Sequence, residues 1–437
     1  MDGIIQKTKQ LLLENYFIDR RPWVIAYSGG KDSTLVLQLV YEMLLDLKHS
    51  GRQFSKQLYV IASDTGVEPP NIQEYLLERL SKISNHAESI GLPLHVKLVK
   101  PTPENSFWGN LIGKGYPSPT RWFRWCTHKM KIKPSRYEIE KISDEHGSIV
   151  LLLGSRFSES NSRKHGMDKR LKNSRGLNPH NEIPDALVFA PIADWKTEEV
   201  WKFLSNNPAP WGESHDFLLD LYRQAGGSEC LLALDLGTPS CGGSRFGCWT
   251  CTVIKEDKSM NGFIQSGEDW MLPLYDFRNW LKEIREDMKM RLPFRRNNGK
   301  GPGPFSPEAR KLILQKLLEV EHKVGILLIK DEEISFIQQQ WREDFDAIES
   351  AYSIVRRYGR KVKKMNIISI SSEEEELLNK LIVEYEIEET CVKELLNLAT
   401  KTYPSFDNYG SKENFKKDIK RVIEKAIQQE ELVEFNK

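Results

Sequence analysis

The first 205 residues carry continuous apolar runs, separated by stretches in which apolar residues recur every three or four positions. Such runs are typical of strands buried on both faces of a parallel sheet, and the recurrence between them is typical of amphipathic helices. The predicted strands lie within residues 22–28, 57–66, 93–101, 148–157 and 186–195, and the predicted helices within 33–47, 71–91 and 196–204. This alternation predicts an α/β fold with a doubly wound parallel sheet, whose ligands bind at the carboxyl ends of the strands.

The pattern changes after residue 205. The next fifty or so residues are rich in proline, glycine and cysteine, and most of the chain beyond them has a helical pattern. A serine followed by a proline begins the helix predicted at 306–325, and a charged, capped helix is predicted within 371–389. We therefore predict an α/β domain at 1–205, a cysteine-rich loop at 206–255, a helical domain at 256–365 and a helical extension at 366–437.

Composition and charge restrict the class of protein. Of the 437 residues, 39% are hydrophobic and 29% are charged, as in a globular chain, and the formal net charge of +1 provides no overall attraction to a polyanion. The sequence has neither an apolar run of about 18 residues nor the pattern of a signal peptide, so we expect no membrane association and a cytoplasmic location. In that reducing compartment, clustered cysteines are expected to be metal ligands or reactive thiols.

A glycine-rich segment follows the first predicted strand directly. The segment YSGGKDST spans residues 27–34, and its glycines allow the backbone to turn tightly and approach an anion. The next helix points its N-terminal amides at the same place, Lys31 adds a positive charge, and Asp32 is a candidate for positioning Mg²⁺ or a phosphate-bound water. An ordinary strand-to-helix turn is the alternative. The candidate phosphate-binding residues are Ser28, Gly29, Gly30, Lys31, Asp32 and Ser33.

Three of the six cysteines lie in the segment CGGSRFGCWTC. Cys241, Cys248 and Cys251 have the spacing Cys-x6-Cys-x2-Cys, and a Cys-x2-Cys pair on a glycine-bearing turn directs two thiolates to one metal. A closed site requires a fourth ligand, which would come from the other cysteines, Cys126, Cys230 and Cys391. Basic neighbours of Cys126 favour a thiolate there, whereas Cys230 adjoins an apolar run. The spacing alone leaves zinc and an iron–sulfur cluster open.

The loop SGGKDS (28–33) resembles the PP-loop of the N-type ATP pyrophosphatases, which use ATP to adenylate an oxygen and release pyrophosphate. The segments SDTG (63–66), GSRFSESNSR (154–163) and PIADWKTEEVW (191–201) are similar to the branch related to phosphoadenylylsulfate reductase. The resemblance implies an adenine nucleotide alpha hydrolase-like fold that binds ATP and Mg²⁺, with catalytic roles for Lys31, Asp32 and Arg156. The residues that it implies in nucleotide binding are those of the PP-loop together with Asp64, Thr65, Gly66, Gly154 and Arg156.

The segments 291–318 and 329–344, together with CGGSRFGCWTC, resemble the DndC family of DNA phosphorothioation proteins, from about residue 20 to about residue 360. This resemblance implies a [4Fe–4S] cluster on Cys126, Cys241, Cys248 and Cys251. It also implies adenylation of a DNA backbone phosphate so that sulfur replaces a non-bridging oxygen, with a cysteine desulfurase as the sulfur source and other Dnd-type proteins as partners. Basic stretches at 163–175 and 291–300 are candidate DNA contacts, with a solvated surface as the alternative.

The sequence leaves two other functions open. A reductase of adenylylated sulfate or a tRNA thiolation enzyme would use the same loop, although no cysteine follows Cys391 to form the C-terminal motif that such reductases often use. A non-catalytic module with a decayed nucleotide site and a structural zinc is the alternative of another class, and the intact segment from Ser28 to Ser33 opposes it.

Overall fold

The computed structural model describes residues 2–159, 176–180, 183, 185–224, 247–296, 299–344, 346 and 349–362. Residues Met1–Val362 form one compact unit. The predictions for the basic stretch at 163–175, for Cys230 and Cys241, and for the extension at 366–437 lie outside the described residues. Of the helices that are described, none is both long enough and apolar enough to cross a bilayer.

Six strands form the central sheet: β1 (Trp23–Ala26), β2 (Leu58–Ser63), β3 (Leu94–Val99), β4 (Ile149–Leu152), β5 (Leu177–Pro179) and β6 (Ala186–Phe189). Their order is β3–β2–β1–β4–β6–β5. All neighbouring pairs are parallel except β5 and β6, which are antiparallel at one edge. The predicted parallel sheet is confirmed, and the short antiparallel edge strand is an addition that the apolar pattern did not predict.

Helices cover both faces of the sheet: α1 (Asp2–Ile18), α2 (Lys31–His49), α3 (Pro70–Ser89), α4 (Lys133–His146) and α5 (Thr197–Asn206). On one face, Val24, Ile61 and Leu151 pack in a cluster with Ile139 and Ile142 of α4. The opposite face belongs to a larger core, to which the other four helices contribute apolar side chains. The sheet is therefore doubly wound, and the central strands β1 and β4 are apolar throughout because both of their faces are buried.

The second part of the unit is helical, with α6 (Asp216–Gln224), α7 (Lys258–Gln265), α8 (Leu272–Glu286), α9 (Pro307–Val324), α10 (Asp331–Asp344) and α11 (Ser350–Arg357). Helix α9 begins as the sequence predicts, because the Ser306 hydroxyl accepts a hydrogen bond from the Ala309 N–H at 3.2 Å and Pro307 occupies the first turn. Gly325, with a φ of 68°, ends that helix in the left-handed conformation.

The helices after residue 255 pack directly on the α/β part. The indole N–H of Trp108 donates to the Leu328 carbonyl at 2.7 Å, and that of Trp341 donates to the Ile112 carbonyl at 2.9 Å. Arg310 donates to the same Ile112 carbonyl at 2.8 Å. Described residues on both sides of the predicted boundary near 255 therefore share one hydrophobic core.

Two π-helical turns, Gly109–Gly113 and Thr127–Ile132, interrupt the regular structure. The second begins directly after Cys126 and continues into α4 at Lys133. Turns of this type are rare in proteins, and those that do occur are often found at functional sites. Helix α4 is not among the helices that the apolar pattern predicts.

The loop before α6 contains a histidine whose titration should affect stability. His215 is 6% exposed, and its Nε2 lies 2.7 Å from the side-chain oxygen of Gln38 on α2. Burial, and then the positive charge of Arg79, lowers the pKa of His215 to about 4, while the carboxylate of Asp216 acts in the opposite direction.

We expect the free energy of unfolding to decrease as the pH falls from about 6.5 to about 4. In this range the unfolded chain takes up a proton on His215 and the folded chain does not, so acid favours unfolding by at most about 3 kcal/mol. Denaturant titrations at several pH values measure this dependence. His215→Gln should reduce it and the exposed control His49→Gln should not, so equal pH profiles for wild type and His215→Gln would contradict the assignment.

Candidate nucleotide-binding and thiol site

The PP-loop between β1 and α2 is stabilised by hydrogen bonds among its own residues. Gly29 has a φ of 73°, a left-handed conformation that lets the chain turn from the strand into the helix. Ser33 Oγ accepts a hydrogen bond from the Ser28 N–H at 3.2 Å and donates to the Gly30 carbonyl at 3.0 Å. The loop thus places the N-terminus of α2 at the carboxyl end of β1, where its partial positive charge attracts anions.

A buried carboxylate lies between two cations at the start of α2. Asp32 Oδ2 is 2.7 Å from Lys31 Nζ, and Asp32 Oδ1 is 2.7 Å from Arg156 Nε. Lys31 is 1% exposed, Asp32 4% and Arg156 0%, so all three side chains are buried. The three groups carry one net positive charge, which an anionic ligand at the loop would balance.

The end of β4 brings Gly154 and Arg156 to the PP-loop. A Cβ atom on Gly154 would lie 2.9 Å from both the Asp32 carbonyl carbon and the Ser33 nitrogen, so only glycine permits this approach. Arg156 also donates to the hydroxyls of Ser158 at 2.9 Å and Thr197 at 3.1 Å. One guanidinium therefore connects β4, α2 and the first turn of α5.

The SDTG turn follows β2, the strand next to β1. Asp64 Oδ1 accepts hydrogen bonds from the Gly66 N–H at 2.9 Å and from the Gln73 amide at 2.8 Å. Its other oxygen lies 3.3 Å from Lys100 Nζ. The Asp64 carboxylate thus stabilises the turn. By doing so it fixes the positions of Thr65 and Gly66 beside the PP-loop.

Thr65 connects the turn to a cysteine. Its backbone N–H donates to the Glu68 carboxylate at 3.0 Å, and its hydroxyl donates to the same carboxylate at 2.5 Å. The Thr65 hydroxyl also lies 3.7 Å from Cys248 Sγ. In addition, the Trp249 N–H donates to the Val67 carbonyl at 2.9 Å. The cysteine segment is therefore attached directly to the turn at the end of β2.

Cys248 and Cys251 lie on one tight turn, in which the Cys251 N–H donates to the Cys248 carbonyl at 3.0 Å. The Cys251 carbonyl in turn accepts a hydrogen bond from Arg278 of α8 at 2.8 Å. Burial raises the pKa of the Cys248 thiol well above its usual range, and Glu68, Cys126 and Cys251 raise it further, while Lys131 opposes them. Around Cys248, burial thus outweighs the basic neighbours.

The donor chemistry of these residues suits a metal site. The described cysteines are Cys126, Cys248 and Cys251, of which the first and third raise the pKa of the second, and Cys241 lies outside the described residues. Within the described part of the chain, no group of three His, Cys, Asp or Glu side chains is arranged to hold a metal ion. Four thiolates would fit zinc and an iron–sulfur cluster alike, and either would require their deprotonation.

A cleft lies between the PP-loop and α3. Ser63 Oγ is buried there without a hydrogen-bond partner among the described residues, a polar atom that a ligand in the cleft could satisfy. Ser63 belongs to the predicted SDTG segment and Lys131 is one of the basic neighbours of Cys126, whereas Glu68 carried no sequence signal because its role depends on its tertiary contact with Thr65. The residues lining the cleft are Ser28, Gly29, Gly30, Ser63, Glu68, Ile72, Tyr75, Leu76, Lys131, Leu218 and Leu221.

The structure therefore brings most of the predicted residues together. The PP-loop, the SDTG turn, Gly154 and Arg156 meet at the carboxyl edge of the sheet, and Cys248 adjoins them through Thr65. Cys126 belongs to the same neighbourhood, because its thiol affects the pKa of Cys248. Such an arrangement can bind an anionic nucleotide beside a thiol.

A family model described as the phosphoadenosine phosphosulfate reductase domain matches residues 22–254, more than half of the chain. The matched range includes the PP-loop, the SDTG turn, Arg156 and the described cysteines.

An uncharacterized protein of Methanocaldococcus jannaschii is 26% identical over 197 residues, which are 45% of this chain and 34% of that protein, so the chain spans about a third of that relative. Among solved structures, the phosphoadenylyl-sulfate reductase of Candida auris is 15% identical, with a TM-score of 0.30 over 50% of this chain and 89% of that chain. The U34-tRNA thiolase of Methanococcus maripaludis with its [4Fe–4S] cluster is 12% identical, with a TM-score of 0.28 over 65% of this chain and 79% of that chain.

The close approach of β4 to α2 predicts a large effect of a single methyl group. In Gly154→Ala, the new Cβ would overlap the backbone at Asp32 and Ser33, so α2 has to shift. We expect the free energy of unfolding to fall by about 1–3 kcal/mol, measured by denaturant titration. Gly3→Ala is the matched control, because nothing lies within 4 Å of a Cβ there. Equal stabilities of the two variants would contradict the predicted contact.

Proposed function

The chain belongs to the phosphoadenosine phosphosulfate reductase domain family, and from this premise we propose that it is an ATP-dependent sulfurtransferase acting on DNA. In this proposal it adenylates an oxygen of a backbone phosphate, so that sulfur can replace a non-bridging oxygen. The resemblance to DNA phosphorothioation proteins of the DndC family supports the choice of DNA as the substrate.

The observation that carries the proposal is the contact between the nucleotide edge of the sheet and a cysteine. Thr65 lies in the turn beside the PP-loop, and its hydroxyl is 3.7 Å from Cys248 Sγ. A nucleotide site needs no thiol when its only task is binding. A thiol at that position supports a reaction in which an adenylated oxygen is the leaving group and sulfur is the nucleophile.

The proposed reaction has two balanced steps. A non-bridging oxygen of the DNA phosphate attacks the α-phosphorus of ATP, and pyrophosphate leaves with the electron pair of the broken bond. Hydrosulfide then attacks the DNA phosphorus, and AMP leaves with the original DNA oxygen while one proton is released. A cysteine desulfurase supplies the sulfur as a persulfide, and a thiol reductant supplies the two electrons that release it as hydrosulfide.

The protein's own residues favour the first step electrostatically. The N-terminus of α2 and the side chain of Lys31 stabilise the negative charge of the departing pyrophosphate. Asp32 holds Lys31 and Arg156 in place, at distances of 2.7 Å to each, and in this proposal it also positions Mg²⁺. Because these groups are already oriented before ligand arrives, little reorganisation is needed during the reaction.

The cofactor and partners belong to the same proposal. Cys126, Cys241, Cys248 and Cys251 would hold a [4Fe–4S] cluster, which when bound supplies a place for sulfur beside the nucleotide. The other proposed partners are Dnd-type proteins, and the proposed location is the cytoplasm.

The test of the nucleotide step is pyrophosphate release from ATP. We expect Lys31→Ala to lower the rate by about 100-fold or more, because a charge that stabilises the transition state is lost. Lys7→Ala is the matched control, since Lys7 is exposed and pairs with Asp194 at the surface. Unchanged turnover in a folded Lys31→Ala variant would show that the PP-loop is misassigned.

Labelled sulfur identifies the acceptor. With ATP, sulfur-labelled cysteine, a cysteine desulfurase and a thiol reductant present, we expect label in DNA and none in tRNA. Label in tRNA alone would select the tRNA thiolation alternative, and sulfite formation from adenylylated sulfate would select the reductase alternative.

Anaerobic iron and sulfide analysis of wild type and Cys126→Ser measures the cluster, and zinc alone in the anaerobic protein would contradict it.

A further inference from the structure

Two exposed aromatic side chains, Trp122 and Phe123, lie shortly before Cys126 in the chain. Trp122 is 93% exposed and Phe123 45% exposed, and Arg121 and Arg124 flank them. A tryptophan is usually largely buried in a folded protein, so a side chain exposed to this degree suggests a ligand. We name Trp122 and Phe123 the aromatic tip.

The aromatic tip is ordered by its own turn. The Thr120 hydroxyl accepts hydrogen bonds from the N–H groups of Trp122 at 3.3 Å and Phe123 at 3.0 Å. The ring of Phe123 lies 6.1 Å from that of Tyr116, and Trp125 packs against Tyr116 from another direction at 5.7 Å. The turn that carries the exposed Trp122 side chain is therefore held in place by hydrogen bonds and by packing of the neighbouring rings.

Positively charged side chains lie around Tyr116, the ring against which Phe123 packs. Lys129 Nζ lies 5.4 Å and the Arg296 guanidinium 4.8 Å from the ring centre of Tyr116. Lys114 and Lys133 are close enough to act on Lys129 electrostatically, and Glu104 is the carboxylate that opposes them. We name Lys114, Lys129, Lys133 and Arg296 the cation cluster. With one carboxylate facing four cations, it attracts a polyanion.

We propose that the aromatic tip and the cation cluster bind single-stranded DNA, with an unpaired base stacked on Trp122 or Phe123 and the backbone phosphates near the cations. This inference rests on the proposed function in taking DNA as the substrate, and adds that the strand is bound unpaired. Combined stacking side chains and cations are the usual means of binding a single strand, because every unpaired base offers a ring face.

The position of these residues in the chain supports the inference. The segment from Tyr116 to Lys133 carries the aromatic tip, Cys126 and Lys131 in turn, and Lys131 lines the cleft beside the PP-loop. A strand on the tip therefore lies on the segment that leads to the thiols and the nucleotide cleft. In a duplex the ring faces of the bases are covered by their neighbours, so the tip would have nothing to stack against.

Binding of a fluorescein-labelled single strand to the full chain, measured by anisotropy without ATP, tests the proposal. We expect a lower Kd for the single strand than for its duplex or for RNA of the same sequence. Trp122→Ala and Phe123→Ala should each raise the Kd by about tenfold or more. Phe17→Ala is the matched control, because Phe17 is also 44% exposed beside a cation, Arg52, but precedes β1 and so lies toward the opposite edge of the sheet.

The cation cluster gives a second, independent readout. Burial and the neighbouring charges of Lys114, Lys133 and Arg296, opposed by Glu104, lower the pKa of Lys129 to about 8. The charge that attracts phosphate is therefore lost above that pH, so we expect affinity to fall between pH 7 and 9. Lys129→Arg should remove this dependence, and Lys129→Gln should reduce the dependence of the Kd on salt at pH 7.

The outcomes separate this inference from the proposed function. Unchanged binding by folded Trp122→Ala and Phe123→Ala, or preference for duplex DNA or RNA, overturns the inference even if ATP turnover and sulfur transfer are observed. Weakened single-strand binding in both variants with an unaffected Phe17→Ala control supports it, even if no sulfur enters DNA. In that case the proposed reaction fails and the binding surface stands.

Discussion

The arrangement of the site depends on one buried carboxylate, Asp32. It pairs with Lys31 from its own helix and with Arg156 from the end of β4, and Arg156 also bonds to the first turn of α5 through Thr197. Removal of one partner from a buried ion pair costs about 3–5 kcal/mol, because the remaining charge is left uncompensated. The three elements that form the nucleotide edge are therefore held in register by a single ionised group.

The parallel sheet brings the loops around Asp32 to one edge. Since β1, β2 and β4 are adjacent and run in the same direction, the loops at their carboxyl ends converge although they are far apart in sequence. Thr65 extends this convergence to Cys248, which follows it by more than 180 residues. The PP-loop and Cys248 thus come close to each other because of strand order, and the hydrogen bonds of the turns determine the details.

The fold and the PP-loop could be predicted from sequence because their signals are local. Apolar runs, the glycines after β1 and the serine before α9 each determine the structure of their own neighbours. The pairing of Asp32 with Arg156 and the position of Glu68 against Thr65 depend on tertiary contacts, and no local pattern encodes them. Basic neighbours predict a thiolate at Cys126 from the sequence alone, whereas the burial that dominates the pKa of Cys248 depends on packing and has no such local signal.

One weak contact has a consequence for how the loop responds to a ligand. The Tyr222 hydroxyl on α6 accepts a hydrogen bond from the Lys31 N–H at 3.4 Å, which is long for such a bond. That amide belongs to the helix N-terminus that would receive a phosphate. A phosphate bound there would compete with the phenol for this amide. The hydrogen bond that it would replace joins α2 to α6, so the contact between these two helices is coupled to the occupancy of the helix N-terminus.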